Sequence, residues 1–431
     1  MTKVSPLKNK SQMVQKCTNK NCLSEYPVDQ FLHACTKCKG KLEYEIFRLP
    51  SEKKAGFNNQ WKNFDLIPLV DEKNILSLNE GDSALIEIEE ISQYLNGAKL
   101  YLMMDMDQNP TGTFKDREAS IIISKCREQG LDNLVFYSTG NTGRAYTHYA
   151  AHLGLTTYFF MPKQCHYKNT DHIKKNRNNY IIYVDEHYPE IAPYAKKFAE
   201  LNGLNIIAPM HDRTEAYATV AYEQFEKLPE CNYFVQTIAS GMGPIGFLRG
   251  HKNLVKFGLE VENKIPHIIC VQSSEMNVMS KAYNAGKTVL VSSDLPSAFP
   301  ENLFEPTLNS TNPVNNYPDL YKCLKDSKGT ITDVTPDYVQ KKSQIILDSL
   351  KKRNIYIRND KENSLFIEFA GLIKLAEEGR FNSQDVIAML ACGRGKDRAV
   401  NLIEPDAIVN PRVDDPVVLM GRLKNAISVT S

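Results

Sequence analysis

From about residue 98 onward, short runs of β-branched and aromatic residues alternate with longer stretches whose apolar positions recur at helical spacing. KLYLMM, LVFY, TTYFFM, YIIYV, LNIIA, YFVQTI, HIICV and DVIAMLA read as strands. Repeated β-then-α units predict parallel sheet covered by helices on both faces, because consecutive parallel strands need a crossover that packs back on the sheet. A (β/α)8 barrel is the competing arrangement. The uneven spacing argues against it, since residues 286–330 form a Pro-, Asn- and Ser-rich connection that suits an active-site edge better than a barrel repeat. Residues 46–75 are polar and weakly periodic, carry the single tryptophan, and read as a connecting arm. Neither a solenoid period nor a low-complexity tract is present.

The 431 residues allow two or three domains with a substantial core. With 52 basic against 51 acidic side chains the formal net charge is +1. No overall field therefore draws the chain to nucleic acid or an anionic membrane, and any anion site must be local. The stretch MTKVSPLKNKSQMVQ lacks an apolar segment and the longest apolar runs, such as VIAMLAC, have strand length, so a soluble cytoplasmic protein is expected. Ten cysteines then point to reduced thiols or metal ligands rather than a disulfide framework. Cys17 and Cys22 are separated by four residues, Cys35 and Cys38 by two. Two such pairs can supply four thiolates to a tetrahedral Zn²⁺, and the other reading is a ribbon holding free thiols. Either way the module is structural, because four thiolates would close the coordination sphere.

Four further stretches carry candidate chemistry. In Asn109-Pro110-Thr111-Gly112-Thr113-Phe114-Lys115-Asp116-Arg117, Pro110 and Gly112 mark a turn, and the run from Asp116 reads as a helix that stops at Gly130. Lys115 thus lies at a helix start, where the dipole disfavours the ammonium form and makes a neutral, nucleophilic amine easier to reach. An imine-forming lysine needs that property. A surface lysine at a helix N-terminus is the plain alternative. Ser138-Thr139-Gly140-Asn141-Thr142-Gly143 follows LVFY and precedes a helix, so its amides and hydroxyls face the carboxyl edge of a sheet, where a carboxylate would fit; a plain βα turn with an Asn/Thr cap is the alternative. Ala239-Ser240-Gly241-Met242-Gly243-Pro244-Ile245-Gly246 follows YFVQTI, and its glycines let successive amides turn inward on an anion such as phosphate. No Lys-Ser/Thr pair follows the last glycine, which excludes Walker A. A dinucleotide reading of the same glycines lacks the acidic ribose ligand and stays a weak alternative. Ala391-Cys392-Gly393-Arg394-Gly395-Lys396-Asp397 again places small residues at the end of a strand.

A lysine for an imine together with a phosphate nest matches the needs of pyridoxal phosphate. In the same order along the chain, NPTGTFKDR resembles the lysine segment, STGNTG the asparagine loop and ASGMGPIG the phosphate loop of fold-type II pyridoxal-phosphate enzymes of the threonine synthase group. That group includes the threonine synthases and the cysteate synthases. Glu80-Gly81-Asp82-Ser83-Ala84-Leu85 resembles the stretch that precedes the lysine segment, LFIEFA at 365–370 the late acidic helix, and ACGRGKD the terminal glycine motif.

The resemblance implies an α/β fold of the tryptophan synthase β type. It has two three-layer αβα domains with parallel-rich sheets, plus a small N-terminal four-cysteine module like a zinc ribbon. The implied divisions are 1–45 for the module, 46–95 for the arm and the start of the large domain, 96–205 for the small α/β domain and 206–431 for the large one. Lys115 would form the imine and shuttle protons, and Asn141 would hydrogen-bond the ring hydroxyl. Ser138, Thr139 and Thr142 would hold the substrate carboxylate, while Ser240, Gly241, Met242, Gly243 and Ile245 would offer donors to the cofactor phosphate. Cys392 would face the pyridine nitrogen, and a neutral thiol there favours expulsion of a leaving group over transamination. Cys17, Cys22, Cys35 and Cys38 would hold structural zinc.

The chain departs from the group's pattern in three places. Cys392 stands where the group has Thr or Ser, and Met242 where threonine synthases commonly have Asn. Arg144 and His148 begin the helix after the asparagine loop where small residues are usual; Arg144 is either a solvated first-turn side chain or a specificity residue for an anionic substrate. The implied function is elimination or replacement on an amino acid with a phosphate or similar leaving group, as in a threonine synthase. The alternatives are a cysteate synthase-type β-replacement on O-phosphoserine, a dehydratase or ammonia-lyase outcome and, last, a non-catalytic pyridoxal-phosphate-binding module. Lys163, His166, Lys168, Lys174, Arg177 and Arg249 are the candidate charges for a substrate phosphate, although a charge run like KNTDHIKKNR is usually a solvated face. A homodimer is expected by analogy with similar enzymes.

Overall fold

Each of the strand-like runs becomes a strand, and further short strands join them. The structure, a computed structural model, describes residues 12–48, 54–108, 110–168, 178–186, 188–207, 211–296, 303–308, 313–357, 363–393 and 403–430. In chain order, β1 (Met13–Cys17), β2 (Glu25–Tyr26) and β3 (Leu42–Ile46) form an antiparallel ribbon in the order β2-β1-β3. β4 (Leu85–Glu87) and β5 (Lys99–Met103) open a second sheet, and β6 (Asn133–Tyr137), β7 (Thr156–Pro162), β8 (Asn179–Val184) and β9 (Asn205–Ile206) form a third. β10 (Tyr233–Thr237), β11 (His267–Ser273), β12 (Thr330–Val334) and β13 (Val386–Leu390) return to the second sheet, and β14 (Ala407–Val409) joins the third.

The six-stranded order is β12-β11-β10-β13-β5-β4 and the five-stranded order is β14-β8-β7-β6-β9. All pairings in these two sheets are parallel except β4 with β5. Two open sheets replace the competing barrel. Each is buried on both faces, as its apolar runs require. In the larger sheet Leu100, Leu102, Val235, Ile269, Ile387 and Met389 pack under the helices Pro336–Lys351 and Ser364–Glu377. The alternate residues Met103, Phe234, Ile268, Cys270, Ala388 and Leu390 pack under Asp212–Lys227 and Met242–Lys256. The smaller sheet repeats this, with Phe136 and Phe159 facing the helices Lys115–Glu128 and Asn141–His152, and Val135 and Phe160 facing Tyr188–Leu201. The three-layer expectation therefore holds for both sheets.

The sheets divide the chain less simply than the expected boundaries. β5, placed by 96–205 in the small domain, pairs with β13 in the six-stranded sheet. β14, placed by 206–431 in the large domain, pairs with β8 in the five-stranded sheet. Pairing across the sheet outranks order along the chain: β5 fits between β13 and β4 inside the larger sheet, and β14 forms an edge of the smaller one. The arm at 46–75 also needs correction. Its described residues include the 3-10 helix Gln60–Leu66, capped where Asn59 accepts the Trp61 N–H at 2.9 Å. Trp61 is fully buried, and its indole N–H lies 2.9 Å from Glu80 and 2.8 Å from the Ser120 hydroxyl. Phe64, Leu66, Ile67 and Leu69 are buried as well, so this part of the segment is a packed strap that a polar average over the whole segment conceals. The connection at 286–330 contains the helix Tyr317–Asp326 rather than loop alone. Among the described residues, no helix is long and apolar enough to cross a membrane.

Candidate active site

The register of the six-stranded sheet decides where the chemistry gathers. Met103 pairs with Leu390, and Val235 with Met389, so the segments after β5, β10 and β13 leave the same carboxyl edge side by side. There the Phe114 N–H donates to the Cys392 carbonyl at 2.9 Å, and Thr113 forms an antiparallel bridge with Gly393. Gly112 takes a left-handed φ of +74°, which a β-carbon would strain. Asp116 accepts both the N–H and the hydroxyl of Thr111 at 2.8 Å, closing the turn beneath the lysine.

The helix begins at Lys115 itself, whose side chain is 19% exposed. Its Nζ lies 2.6 Å from the Tyr217 hydroxyl, 3.8 Å from Glu118 Oε2 and 4.3 Å from the centre of the Phe114 ring. Burial lowers its pKa from the ordinary 10.5; Glu118 opposes that shift and Arg213 adds to it. The helix start acts in the same direction as this burial.

The other expected parts converge on that edge. Cys392 Sγ accepts a hydrogen bond from Gln236 Nε2 at 3.2 Å. Burial, with the field of Glu368, raises the Cys392 thiol well above its usual value, so it stays neutral. Arg394 and Lys396, from the same terminal glycine motif, lie outside the described residues. A β-carbon on Gly243 would fall 2.3 Å from Gln236 Oε1, an oxygen that is buried without a hydrogen-bond partner. Contacts thus run from the lysine turn through Cys392 and Gln236 to the glycine turn. Gly241, with φ +78°, caps the helix Met242–Lys256, and half-buried Ser240 precedes it. Met242 and Ile245 pack in one cluster with Tyr217 and Phe114. Glu368 from LFIEFA lies beneath this edge, accepts the Thr237 N–H at 3.2 Å, and is driven by burial well above the carboxylate range.

The asparagine turn is built by Ser138, whose hydroxyl oxygen accepts the N–H groups of Gly140 and Gly143 at 2.9 and 3.0 Å. Gly143 must lack a side chain, because a β-carbon would sit 2.0 Å from the Phe159 ring. Thr139 and Thr142 flank the turn, and Asn141 Oδ1 is buried without a hydrogen-bond partner. Arg144 corrects the solvated reading: it is 7% exposed and donates to the Thr111 carbonyl at 2.5 Å, tying the asparagine helix to the lysine turn.

Of the candidate phosphate charges, Arg249 donates to Glu215 at 3.1 Å and to the Tyr44 carbonyl, so it secures the ribbon. Lys163 pairs with Asp185 at 3.4 Å on the surface, and His166 is exposed. Lys174 and Arg177 lie outside the described residues, and so does the side chain of Lys168.

A second centre lies in the ribbon. The sulfurs of Cys17, Cys22, Cys35 and Cys38 all lie within 4.8 Å of one another, with Cys17 to Cys38 at 3.4 Å and Cys22 to Cys35 at 3.6 Å. Zn–S bonds of about 2.3 Å in a tetrahedron place sulfurs roughly 3.8 Å apart, so the four thiols match a zinc cage. A hydrogen bond from Tyr26 and nearby backbone amides lower the Cys35 thiol to about 6. The ribbon docks through Tyr44, whose hydroxyl donates to Asp212 at 2.6 Å beside the Lys125 ammonium.

The residues present fit pyridoxal phosphate: a buried lysine amine, an unpartnered Asn141 oxygen, and a glycine turn whose backbone a β-carbon would obstruct. Sequence reasoning missed Gln236, Tyr217 and Glu118. Gln236 left a trace, as the polar position inside the apolar strand YFVQTI. Tyr217 and Glu118 left none, since both lie inside ordinary amphipathic helices.

A family model described as "Pyridoxal-phosphate dependent enzyme" matches residues 76–341. A threonine synthase of Methanocaldococcus jannaschii is 25% identical over 412 residues, covering 92% of this chain and 94% of that protein. A cysteate synthase of Methanocorpusculum labreanum is 26% identical, covering 67% of this chain and 70% of that protein. Among solved structures, maize serine racemase aligns with a TM-score of 0.58 at 18% identity, covering 74% of this chain and 90% of that one. That last likeness speaks for the fold alone.

Proposed function

The chain belongs to the pyridoxal-phosphate dependent enzyme family, and we propose that it carries out elimination or replacement on an amino acid whose leaving group is phosphate, in the manner of a threonine synthase. The observation that carries this reading is the convergence of Lys115 and the Gly241–Gly243 turn on one sheet edge, through Cys392 and Gln236. Bound there, pyridoxal phosphate supplies an electron sink for charge that develops on the substrate carbon bearing the amino group. Lys115 would hold the cofactor's aldehyde carbon and afterwards take a proton from the substrate and return it. Asn141 would meet the ring hydroxyl, and the amides of Gly241, Met242, Gly243 and Ile245, with Ser240, would hold the phosphate at a helix start. Ser138, Thr139 and Thr142 would orient the substrate carboxylate.

Cys392, neutral through burial, would offer the ring nitrogen a weak partner and no full proton. That choice supports loss of a leaving group over transamination. Arg144 would brace the lysine turn from the substrate side of the asparagine helix. The four cysteines would hold one structural zinc, and the active protein would be a homodimer, by analogy with similar enzymes.

Likeness to a cysteate synthase supports a second reading, replacement on O-phosphoserine with a nucleophile such as sulfite. Purified holoenzyme incubated with O-phosphohomoserine, or with O-phosphoserine and sulfite, separates the two by phosphate release and product mass. Release from neither substrate would remove both readings.

A further inference from the structure

Tyr217 lies in the middle of the helix Asp212–Lys227, and its hydroxyl is interposed between two groups of a neighbouring helix. It receives a hydrogen bond from Lys115 Nζ at 2.6 Å and donates one to Glu118 Oε2. The other Glu118 oxygen accepts the Tyr146 hydroxyl at 2.6 Å. Tyr146, Tyr217 and Glu118 are all buried, so water does not compete for these bonds. Lys115 and Glu118 are three residues apart on one helix and therefore face the same side.

Packing holds the phenol in place from two more directions. Its ring lies 4.9 Å from that of Phe114, the residue fastened to Cys392. A β-carbon on Gly246, in the helix that begins at the glycine turn, would fall 2.5 Å from Tyr217 Cβ. The close approach of these two helices thus sets Tyr217 against Lys115. The charged and titratable groups that face the pair are Arg213 on the Tyr217 helix, Tyr146 on the asparagine helix and Cys392 beyond β13.

A phenol has one proton to donate. Since Glu118 takes it, the Tyr217 oxygen can only accept from Lys115, and the lone pair of a neutral Lys115 amine is directed elsewhere. Burial, reinforced by Glu118, raises the phenol well above 10, so Tyr217 is a conduit and not a reservoir. We propose that Glu118, reached through the Tyr217 hydroxyl, is the proton store of Lys115. As the Lys115 Nζ–H bond breaks, an O–H bond forms on Tyr217, and the proton that Tyr217 carried passes to Glu118 Oε2. An ammonium and a carboxylate become an amine and a carboxylic acid, with atoms and charge balanced, and the reverse transfer restores them. The neutral pair suits a site from which water is excluded. Tyr217 touches the reacting nitrogen, whereas Glu118 acts through it.

This inference rests on the proposed function for the task of Lys115, but its test does not need the substrate. In the full chain, wild type is compared with Tyr217→Phe, Glu118→Gln and the conservative Glu118→Asp, with folding checked by circular dichroism. After reversible removal of the cofactor, the rate of Lys115 acylation is followed against pH by mass spectrometry. Both Tyr217→Phe and Glu118→Gln remove support for the charged amine, so the midpoint falls by about one pH unit, and Glu118→Asp restores part of it. In the reloaded enzyme both variants lower kcat by about 100-fold with KM within about twofold. An unchanged labelling midpoint in both variants overturns the proposal. A shift in Glu118→Gln alone overturns the route through Tyr217, leaving a direct ion pair. Failure of the reloaded protein to turn over any phospho-amino acid would count against the proposed function and leave the labelling result standing.

Discussion

The Phe114 N–H bonds to the Cys392 carbonyl at 2.9 Å, so the residue before the lysine is fastened to the residue that follows Ala391 at the end of β13. Parallel register makes this meeting possible. It places the lysine amine and a neutral thiol on the same edge, and it supports two expectations about the cofactor.

Lys115→Ala removes the amine proposed to bond the cofactor's aldehyde at this edge. The variant folds, because the lysine side chain is not among the core packing residues, but loses the visible absorbance and the borohydride-trapped mass of the holoenzyme. Cys392→Ser keeps the backbone bond and a neutral acceptor for Gln236, so cofactor content is unchanged and activity stays within about tenfold. Absorbance titration and mass spectrometry check both.

Gly243→Ala pushes a methyl group into the Gln236 amide, at 2.3 Å from Oε1. Relief requires Gln236 to leave Cys392 or the glycine turn to move, at roughly 1–3 kcal/mol. Cofactor affinity falls by about 10- to 100-fold, measured by fluorescence titration. Shortening Gln236 to Ala in the same chain recovers part of the loss.

Elemental analysis of the purified protein is expected to give about one zinc per chain, with a lower content in Cys35→Ser. Chelation releases the metal and loosens the ribbon, whose Tyr44 bonds to Asp212 at the start of the Tyr217 helix. The observable is a lower Tm together with faster proteolysis in the ribbon around Gly40, since metal affinity here contributes directly to folding.

Asp116 is fully buried, and its pKa is raised from 3.8 to about 7, chiefly by desolvation, with Thr111 and Arg144 pulling the other way. Between those values the folded state holds a proton that the unfolded state has released. The contribution of this group to stability is therefore greatest below about pH 4 and declines as pH rises to about 7, by up to roughly 4 kcal/mol. Asp116→Asn lacks that component. Denaturant unfolding of both proteins across the range shows it as a difference in slope.

The strand runs, the helix opening at Lys115, the three glycine-bearing turns and the paired cysteines of the ribbon were all legible along the chain, because each depends on local periodicity or on a backbone conformation that few residues tolerate. The strap within 46–75 departs from its polar reading because Trp61, Phe64, Leu66, Ile67 and Leu69 are buried among polar neighbours. Sheet membership of β5 and β14, the burial of Arg144 against Thr111, and the Lys115–Tyr217–Glu118 alignment were decided only in three dimensions. Sequence by itself determined which segments could turn, twist or hold an anion. Tertiary structure decided which of them meet, because parallel pairing and helix packing join residues far apart in the chain, and burial then sets the protonation of what they enclose.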